Sequence, residues 1–391
     1  MPNACGLSTA PQTAQAVDEA CSTALEGLQG SPDLAMVFFS SHHGEAAKSL
    51  ASIQARLGAR CLLGCSGESI VGGDQEIEEQ PALSVWVARW PWPINLTGFH
   101  IDVEKTADGY SLLGWPDDLS DADADASQSA MLLLGDPFTF PVDACLTHLN
   151  EAHSGLPVMG GMASGGSAQG QHRHLLNNQF LGRGAIGVLL RGPVGIRSIV
   201  SQGCRPIGRH MVITRGKENV IAGLGGKPPL AQLQELWEEL DAPERDLLQH
   251  GLHVGCVINE YQDKFERGDF LVRNILGLDH DSGSIAINDQ IRVGQTVQFH
   301  VRDAATADED LRALLLADLH SQKTPPSGAL LFTCNGRGTR LFSQPHHDVQ
   351  ALHSTYGKIP VAGFFAQGEL GPVGGKNFIH GFTASVALFE N

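Results

Sequence analysis

Three times along the chain a helix-ending glycine stands six residues before a second glycine: Gly58 and Gly64, Gly155 and Gly161, Gly357 and Gly363. The surroundings of each pair match as well. An apolar, strand-like run comes first, then a helical pattern that stops at the first glycine, then a second apolar run that carries the other. In the first unit these are "LAMVFFS" (34–40), "HGEAAKSLASIQARLG" with Ala46, Leu50, Ile53 and Leu57 on one face, and "ARCLLGCSGE", with "PALSVWVARW" following. The second unit reads "MLLLGD", "VDACLTHLNEAHSG", "LPVMGGMASGG" and "GAIGVLLRG"; the third reads "GALLFTCNG", "HHDVQALHSTYG", "KIPVAGFFAQGE" and "FTASVALF". A C-cap glycine is common to any strand–helix–strand unit. A glycine at the far end of each following strand is not, so the agreement reads as internal duplication. The expectation is an α/β (mixed α+β) fold of repeated strand–helix–strand–strand units in two related halves, 30–225 and 226–391.

The connecting stretches are less regular. Residues 11–29 read as a helix, with Ala16, Ala20, Ala24 and Leu28 every fourth position. "DDLSDADADASQS" (117–129) reads as a solvated acidic loop. Residues 195–226 read as successive strands with a turn at Arg215–Glu218, 229–250 as acidic helix, and 269–303 as an antiparallel meander turning at "DHDSGS". "DEDLRALLLADLHSQ" follows as an amphipathic helix, and "KTPPSG" as a break before the third unit.

Charge narrows the partners. A formal net charge of −17 with no basic cluster argues against DNA, RNA or an anionic membrane, which are bound through basic patches. The start, "MPNACGLSTAPQTAQAVDEAC", lacks a basic n-region and an apolar h-region, so no signal peptide is expected, and no apolar run approaches the roughly 20 residues of a spanning helix. Eight scattered cysteines without a CxxC pair suit a reduced, cytoplasmic protein.

Strands that run into glycines raise the question of a phosphate cradle. "GGMASGGS" has Gly160 and Gly165 at P-loop separation, but Gly166 stands where the lysine belongs; "GFFAQGEL" puts Glu369 there, and a carboxylate repels phosphate. Glu369 in "QGE" and Glu68 in "SGE" instead read as acids just past a strand end, either on a pocket rim able to hold an amine or in a solvated turn. "LLFTCNGRGTRLF" sets Cys334, Asn335 and Arg337 at the end of a strand, where ligands collect in open α/β sheets. Arg337 is suited to clamp a carboxylate through two parallel hydrogen bonds, or else to fix a loop by bonding backbone carbonyls. Cys334 lacks a recognised Cys–His signature and reads as structural rather than nucleophilic. The seventeen histidines include His172 and His174, two apart, and the pairs at 42–43 and 346–347, which read as exposed helix starts; none has zinc-motif spacing. His380, before the last strand, is the histidine best placed near a pocket.

Together these stretches resemble the FIST family of sensory domains over nearly the whole chain. "LLGCSGESIVGGDQEIEEQPALSV", "LPVMGGMASGG" and "QGCRPIGRHMVIT" are similar to its N-terminal region, which the resemblance sets at 30–225. "ALLFTCNGRGTRLF" and "IPVAGFFAQGELGPVGGKNFIHGFTASVALF" are similar to the cysteine–arginine and GE–GP motifs of its C-terminal region, at 226–391. The resemblance implies ligand sensing in signal transduction rather than catalysis; no cofactor and no metal are expected. Amino acids are proposed ligands in the family, some bacterial members bind haem and sense nitric oxide, and eukaryotic relatives carry an F-box.

The expectation is therefore a sensor for an amino acid or similar small zwitterion, with an unidentified signalling partner. Arg337 would hold the carboxylate and Glu369 the amine. Cys334 and Asn335 would line the floor, with Phe365, Gly368 and His380 alongside. The alternatives are a haem-based nitric-oxide sensor using His380 as axial ligand and a ligand-free interaction scaffold. Whether the Glu68 turn forms a second site, and what the oligomeric state is, the sequence leaves open.

Overall fold

The computed structural model describes residues 2–107, 109–120, 128–262, 264–265, 267–322 and 324–390. Most of the acidic loop expected at 117–129 lies outside the described residues. By compactness the chain divides into two units: residues 1–200, 311–379 and 383–391 form one, and residues 201–310 with 380–382 form the other.

The first unit contains all three repeats apart from residues 380–382, and each repeat supplies six elements in the same order. The first is β1 (Leu34–Ser40), α1 (Ala47–Leu57), β2 (Cys61–Gly67), β3 (Ile70–Gly72), β4 (Gln75–Ile77) and β5 (Leu83–Ala88). The second is β6 (Ser129–Gly135), α2 (Val142–Ala152), β7 (Val158–Met162), β8 (His174–Leu176), β9 (Gln179–Leu181) and β10 (Ala185–Arg191). The third is β11 (Gly328–Cys334), α3 (His347–Tyr356), β12 (Val361–Ala366), β13 (Glu369–Val373), β14 (Lys376–His380) and β15 (Thr383–Phe389). In each, the helix crosses between two parallel strands, and the last strand pairs antiparallel with the first.

The hairpins do not stay at home. β3–β4 of the first repeat adds to the third repeat's sheet through β12, β8–β9 of the second adds to the first through β2, and β13–β14 of the third adds to the second through β7. The exchange is cyclic, so every sheet contains strands of two repeats. The three sheets run Asn3–Ser8, β5, β1, β2, β8, β9; then β14, β13, β7, β6, β10 and the hairpin Asn95–Thr106 with Gly109–Leu113; then Ile196–Gln202, β15, β11, β12, β3, β4.

Period-two alternation sorts the side chains. Leu34, Met36 and Phe38 of β1 join Leu132 and Leu134 of β6 and Leu330 and Phe332 of β11 in one central core. Ala35, Val37 and Phe39 face the other way, against α1 and the N-terminal helix Thr13–Gly27. Both faces are covered, which is why these strands read as unbroken apolar runs.

The paired glycines have two different causes. Gly58, at the C-cap of α1, has φ 61° with nothing within 4 Å of a would-be Cβ, so it is there for its left-handed backbone. A Cβ on Gly64 would stand 2.5 Å from the Val37 carbonyl oxygen, and one on Gly363 would overlap the Leu331 carbonyl oxygen. These glycines let adjacent strands approach. In the second repeat the glycine in this position, opposite Leu133, is Gly160 and not Gly161. The six-residue spacing therefore holds structurally in the first and third repeats and shortens by one in the second.

The second unit is built on a closed barrel of Cys204–Lys217, Val220–Leu224, Ser284–Ile287, Phe270–Asp279, Leu252–Val257 and Thr296–Arg302. Strand Cys204–Lys217 continues through the turn expected at Arg215, with a bulge there, and reverses at Glu218, whose φ is 55°. Helices Pro229–Glu239 and Ala242–His250 lie between barrel strands in sequence; Asp241 caps the latter by accepting from the Glu244 N–H at 2.9 Å. Leu236 and Leu240 pack with Val254, Phe299 and Val301 in this unit's own core. Residue 225 lies inside this unit, so compactness and the expected sequence division at 225 describe different partitions of the chain.

Candidate functional site

The third repeat turns a sharp corner after β11. The Arg337 N–H donates to the Cys334 carbonyl at 2.8 Å, and Asn335 N–H donates to Ala366 O at 3.0 Å, which holds the loop against β12. The turn directs Arg337 inward, with its guanidinium 5.1 Å from the Phe342 ring centroid. There Nε donates to Asp348 Oδ2 at 2.8 Å and Nη2 to Oδ1 at 2.7 Å, a two-pronged pair. Both side chains are 1% exposed. Asp348, in the first turn of α3, also accepts from Thr333 Oγ1 at 2.6 Å, and His347 Nδ1 lies 2.9 Å away.

Two more acids complete the cluster. Glu369 opens β13; its Oε2 accepts from the Thr383 N–H at 3.1 Å and from Thr383 Oγ1 at 2.8 Å. Glu76 arrives on β4, the hairpin lent by the first repeat, and its Oε1 accepts from Val349 N–H at 2.8 Å. Four buried polar atoms here have no hydrogen-bond partner among the described residues: Arg337 Nη1, Asn335 Oδ1, Glu76 Oε2 and Glu369 Oε1. The Cys334 thiol also favours the Glu369 anion, but sulfur is a weak donor and Oε1 keeps no nitrogen or oxygen partner.

Burial and charge divide the carboxyls into two kinds. Burial opposes the Asp348 charge, yet the Arg337 guanidinium and its hydrogen bonds hold that carboxyl well below the usual range. Burial likewise opposes the Arg337 charge and is outweighed by Asp348. Burial pushes Glu369 up to about 8, against the pull of Thr383 and Arg337. Glu76 is also pushed up to about 8, by burial and then by the Asp348 charge. The cluster therefore holds one ion pair beside two carboxyls that burial biases toward the protonated form, in which each can donate a hydrogen bond.

Several residues singled out from sequence meet here. Arg337 forms its parallel hydrogen bonds to Asp348 of its own chain, not to backbone carbonyls. Cys334 is half-buried, and its sulfur accepts from Gly336 N–H at 3.4 Å. Phe365 is buried, its N–H donating to Ser69 O at 2.9 Å. Gly368 has φ 151° and presents its carbonyl to Met162 N–H at 2.8 Å. His380 is buried and belongs to the second compact unit, whereas the cluster is built from the first.

Other expectations need correction. Glu68 stands four residues after Gly64, as Gln367 does after Gly363, so it is not the counterpart of Glu369; it is partly exposed and pairs with Arg340. His43 is no exposed helix start: it is buried, with Nδ1 2.9 Å from Thr13 Oγ1. His346 and His347 are also engaged, the first with the Glu76 backbone and the second stacked on Phe342 at 3.4 Å. Asp348, Glu76 and Thr383 escaped the sequence reading. Asp348 follows two histidines at a helix start and Glu76 sits in an acidic loop, both of which look solvated.

A cavity of about 550 Å³ lies elsewhere, beside the loop after β6. Among the described residues no group of three His, Cys, Asp or Glu side chains is placed to hold a metal ion, and no helix is long and apolar enough to cross a membrane. Residues 33–227 match the FIST N domain and residues 230–372 the FIST C domain. An uncharacterized protein of Mycobacterium tuberculosis is 43% identical over 386 residues, covering 98% of each chain. An uncharacterized protein of Mycobacterium bovis is 42% identical over 388 residues, covering 98% of this chain and 97% of its own.

Proposed function

Because the chain belongs to the FIST family, whose domains generally act as sensors in signal transduction, we propose that it binds a small zwitterion, such as an amino acid, at the Arg337–Glu369 corner of the third repeat. The observation that carries this reading is the set of unpartnered atoms. Arg337 Nη1, Asn335 Oδ1 and Glu369 Oε1 are all buried, and a buried polar atom without a partner costs about 1–3 kcal/mol that a ligand can recover.

Since Asp348 occupies the guanidinium fork, a ligand carboxylate meets Nη1 alone. A ligand ammonium meets Asn335 Oδ1 and Glu369 Oε1, and it draws the proton off Glu369 as it enters. Cys334 forms the partly open side, with Phe365 and Gly368 behind it. The reading assigns binding and no reaction, and it assumes a reducing, cytoplasmic setting, which suits six buried cysteines outside any disulfide; burial pushes the thiols of Cys21, Cys61, Cys145 and Cys256 up to about 12. The output partner is a signalling protein not identified by this site.

A thermal-shift screen of the protein amino acids tests the reading. A ligand at about 100 times its dissociation constant adds about 2.7 kcal/mol of stability. The shift is expected to disappear in Asn335→Ala and in Glu369→Gln, both of which leave the Arg337–Asp348 pair whole. No shift with any amino acid, or an undiminished shift in both variants, refutes the assignment.

A further inference from the structure

The corner after β6 is the counterpart, in the second repeat, of the Arg337 corner after β11, and it opens onto the cavity of about 550 Å³. That volume falls within the range of about 300–1,000 Å³ typical of small-molecule sites. Its position at the carboxyl end of a repeat's first strand is where α/β sheets gather ligands.

The loop is held rigidly. Asp136 is fully buried, and its Oδ1 accepts from Phe138 N–H, Thr139 N–H and Thr139 Oγ1, each at 2.9 Å. Its Oδ2 lies 3.2 Å from Nδ1 of the equally buried His172, whose Nε2 accepts from Gly166 N–H at 3.2 Å. Nδ1 therefore carries the proton and Nε2 the lone pair. The His172 ring in turn backs Phe138, with centroids 5.6 Å apart and planes 13° from parallel. Phe138 stays 44% exposed, so a large aromatic ring is fixed from behind by a buried dyad while it lines the cavity.

The charge of the lining is one-sided. Among the described residues Lys105 and Arg183 line the cavity and no carboxylate does. Arg183 is matched by Asp102 at 2.9 Å, whereas Lys105 has no ion pair among the described residues. Tyr110 adds a second, 55% exposed, aromatic ring. In a chain of net charge −17 a hollow with cationic lining selects for an anion, and its two exposed aromatic side chains select for a flat ring.

We infer that this cavity is a second binding site, separate from the Arg337 corner, for an aromatic carboxylate: Lys105 takes the carboxylate and the ring lies against Phe138. His172 and Asp136 act as positioning residues for Phe138.

Calorimetric titration of the full chain with 2-naphthoate, and with 2-naphthylmethylamine as the cationic match, tests this. The acid is expected to bind at least about tenfold tighter than the amine, and Lys105→Glu and Phe138→Ala, both at exposed positions, are each expected to weaken it about tenfold with unchanged circular dichroism. Equal binding of amine and acid, undiminished binding in either variant, or no heat from 2-naphthoate at about 1 mM overturns the inference. Any of these outcomes leaves the amino acid screen at the third repeat untouched.

Discussion

Arg337 and Asp348 form a buried, two-pronged ion pair that ties the loop after β11 to the first turn of α3. Neither side chain touches solvent enough to be rescued if its partner is lost. The pair therefore serves first as a clamp of the third repeat, and whatever enters the site meets a guanidinium already oriented.

Asp348→Ala strands a guanidinium in the interior. A loss of about 3–5 kcal/mol in urea unfolding is expected, as for other broken buried pairs. A loss below about 1 kcal/mol, the range of an exposed pair, would show that the clamp contributes little.

The raised carboxyls give stability a pH slope. Glu369 and Glu76 titrate near 8 in the folded chain and near 4.5 when unfolded, so the stability each contributes is complete below about 4.5. It is lost as pH rises through 8, because the unfolded chain releases its protons first. The ceiling is about 1.4 kcal/mol per pH unit for each group. Buried histidines such as His253 and His300, pushed down to about 4, act in the opposite sense, so the test is a difference. The stability of Glu369→Gln minus that of wild type should rise between pH 5 and 8; a flat difference is the contrary result.

The same titration governs binding. If a ligand ammonium replaces the Glu369 proton, affinity for that ligand should tighten as pH rises toward 8 and level off above it. It should tighten by up to about tenfold per unit. Proton release measured by titration in buffers of different ionisation enthalpy checks this, and release of none would mean that the ligand accepts the neutral acid.

Substituting the two kinds of glycine separates their causes. Gly363→Ala sets a methyl group into the Leu331 carbonyl and should cost about 3 kcal/mol or more. Gly58→Ala meets open space and should cost only about 1–2 kcal/mol for a left-handed backbone. Equal losses in thermal unfolding would contradict the distinction.

What the sequence made legible was local. Periods of 2 and 3.6 located β1, α1 and their counterparts, and the cap glycines Gly58 and Gly357 marked two helix ends, whereas α2 is capped at His153, two residues before Gly155. Cys334, Asn335, Arg337 and Glu369 were singled out because they lie within a few residues of a strand end. The acid that claims the Arg337 fork was not, since an Asp in the first turn of a helix ordinarily faces water. Glu76 was invisible for a stronger reason: it reaches the third repeat only because its hairpin is lent there, and no local pattern encodes that pairing. The closure of strands 204–302 into a barrel is likewise a property of pairings distant along the chain.

The lending of hairpins also constrains how the protein is made. β3 docks on β12, partnering Ile70, Val71 and Gly72 with Phe364, Gly363 and Ala362, roughly 290 residues further along. At about 5–20 residues per second, a ribosome leaves that hairpin without its mate for on the order of 15–60 s. The first repeat to emerge is thus obliged to wait for the third, and Glu76 cannot take its place beside Arg337 until the third repeat has been made.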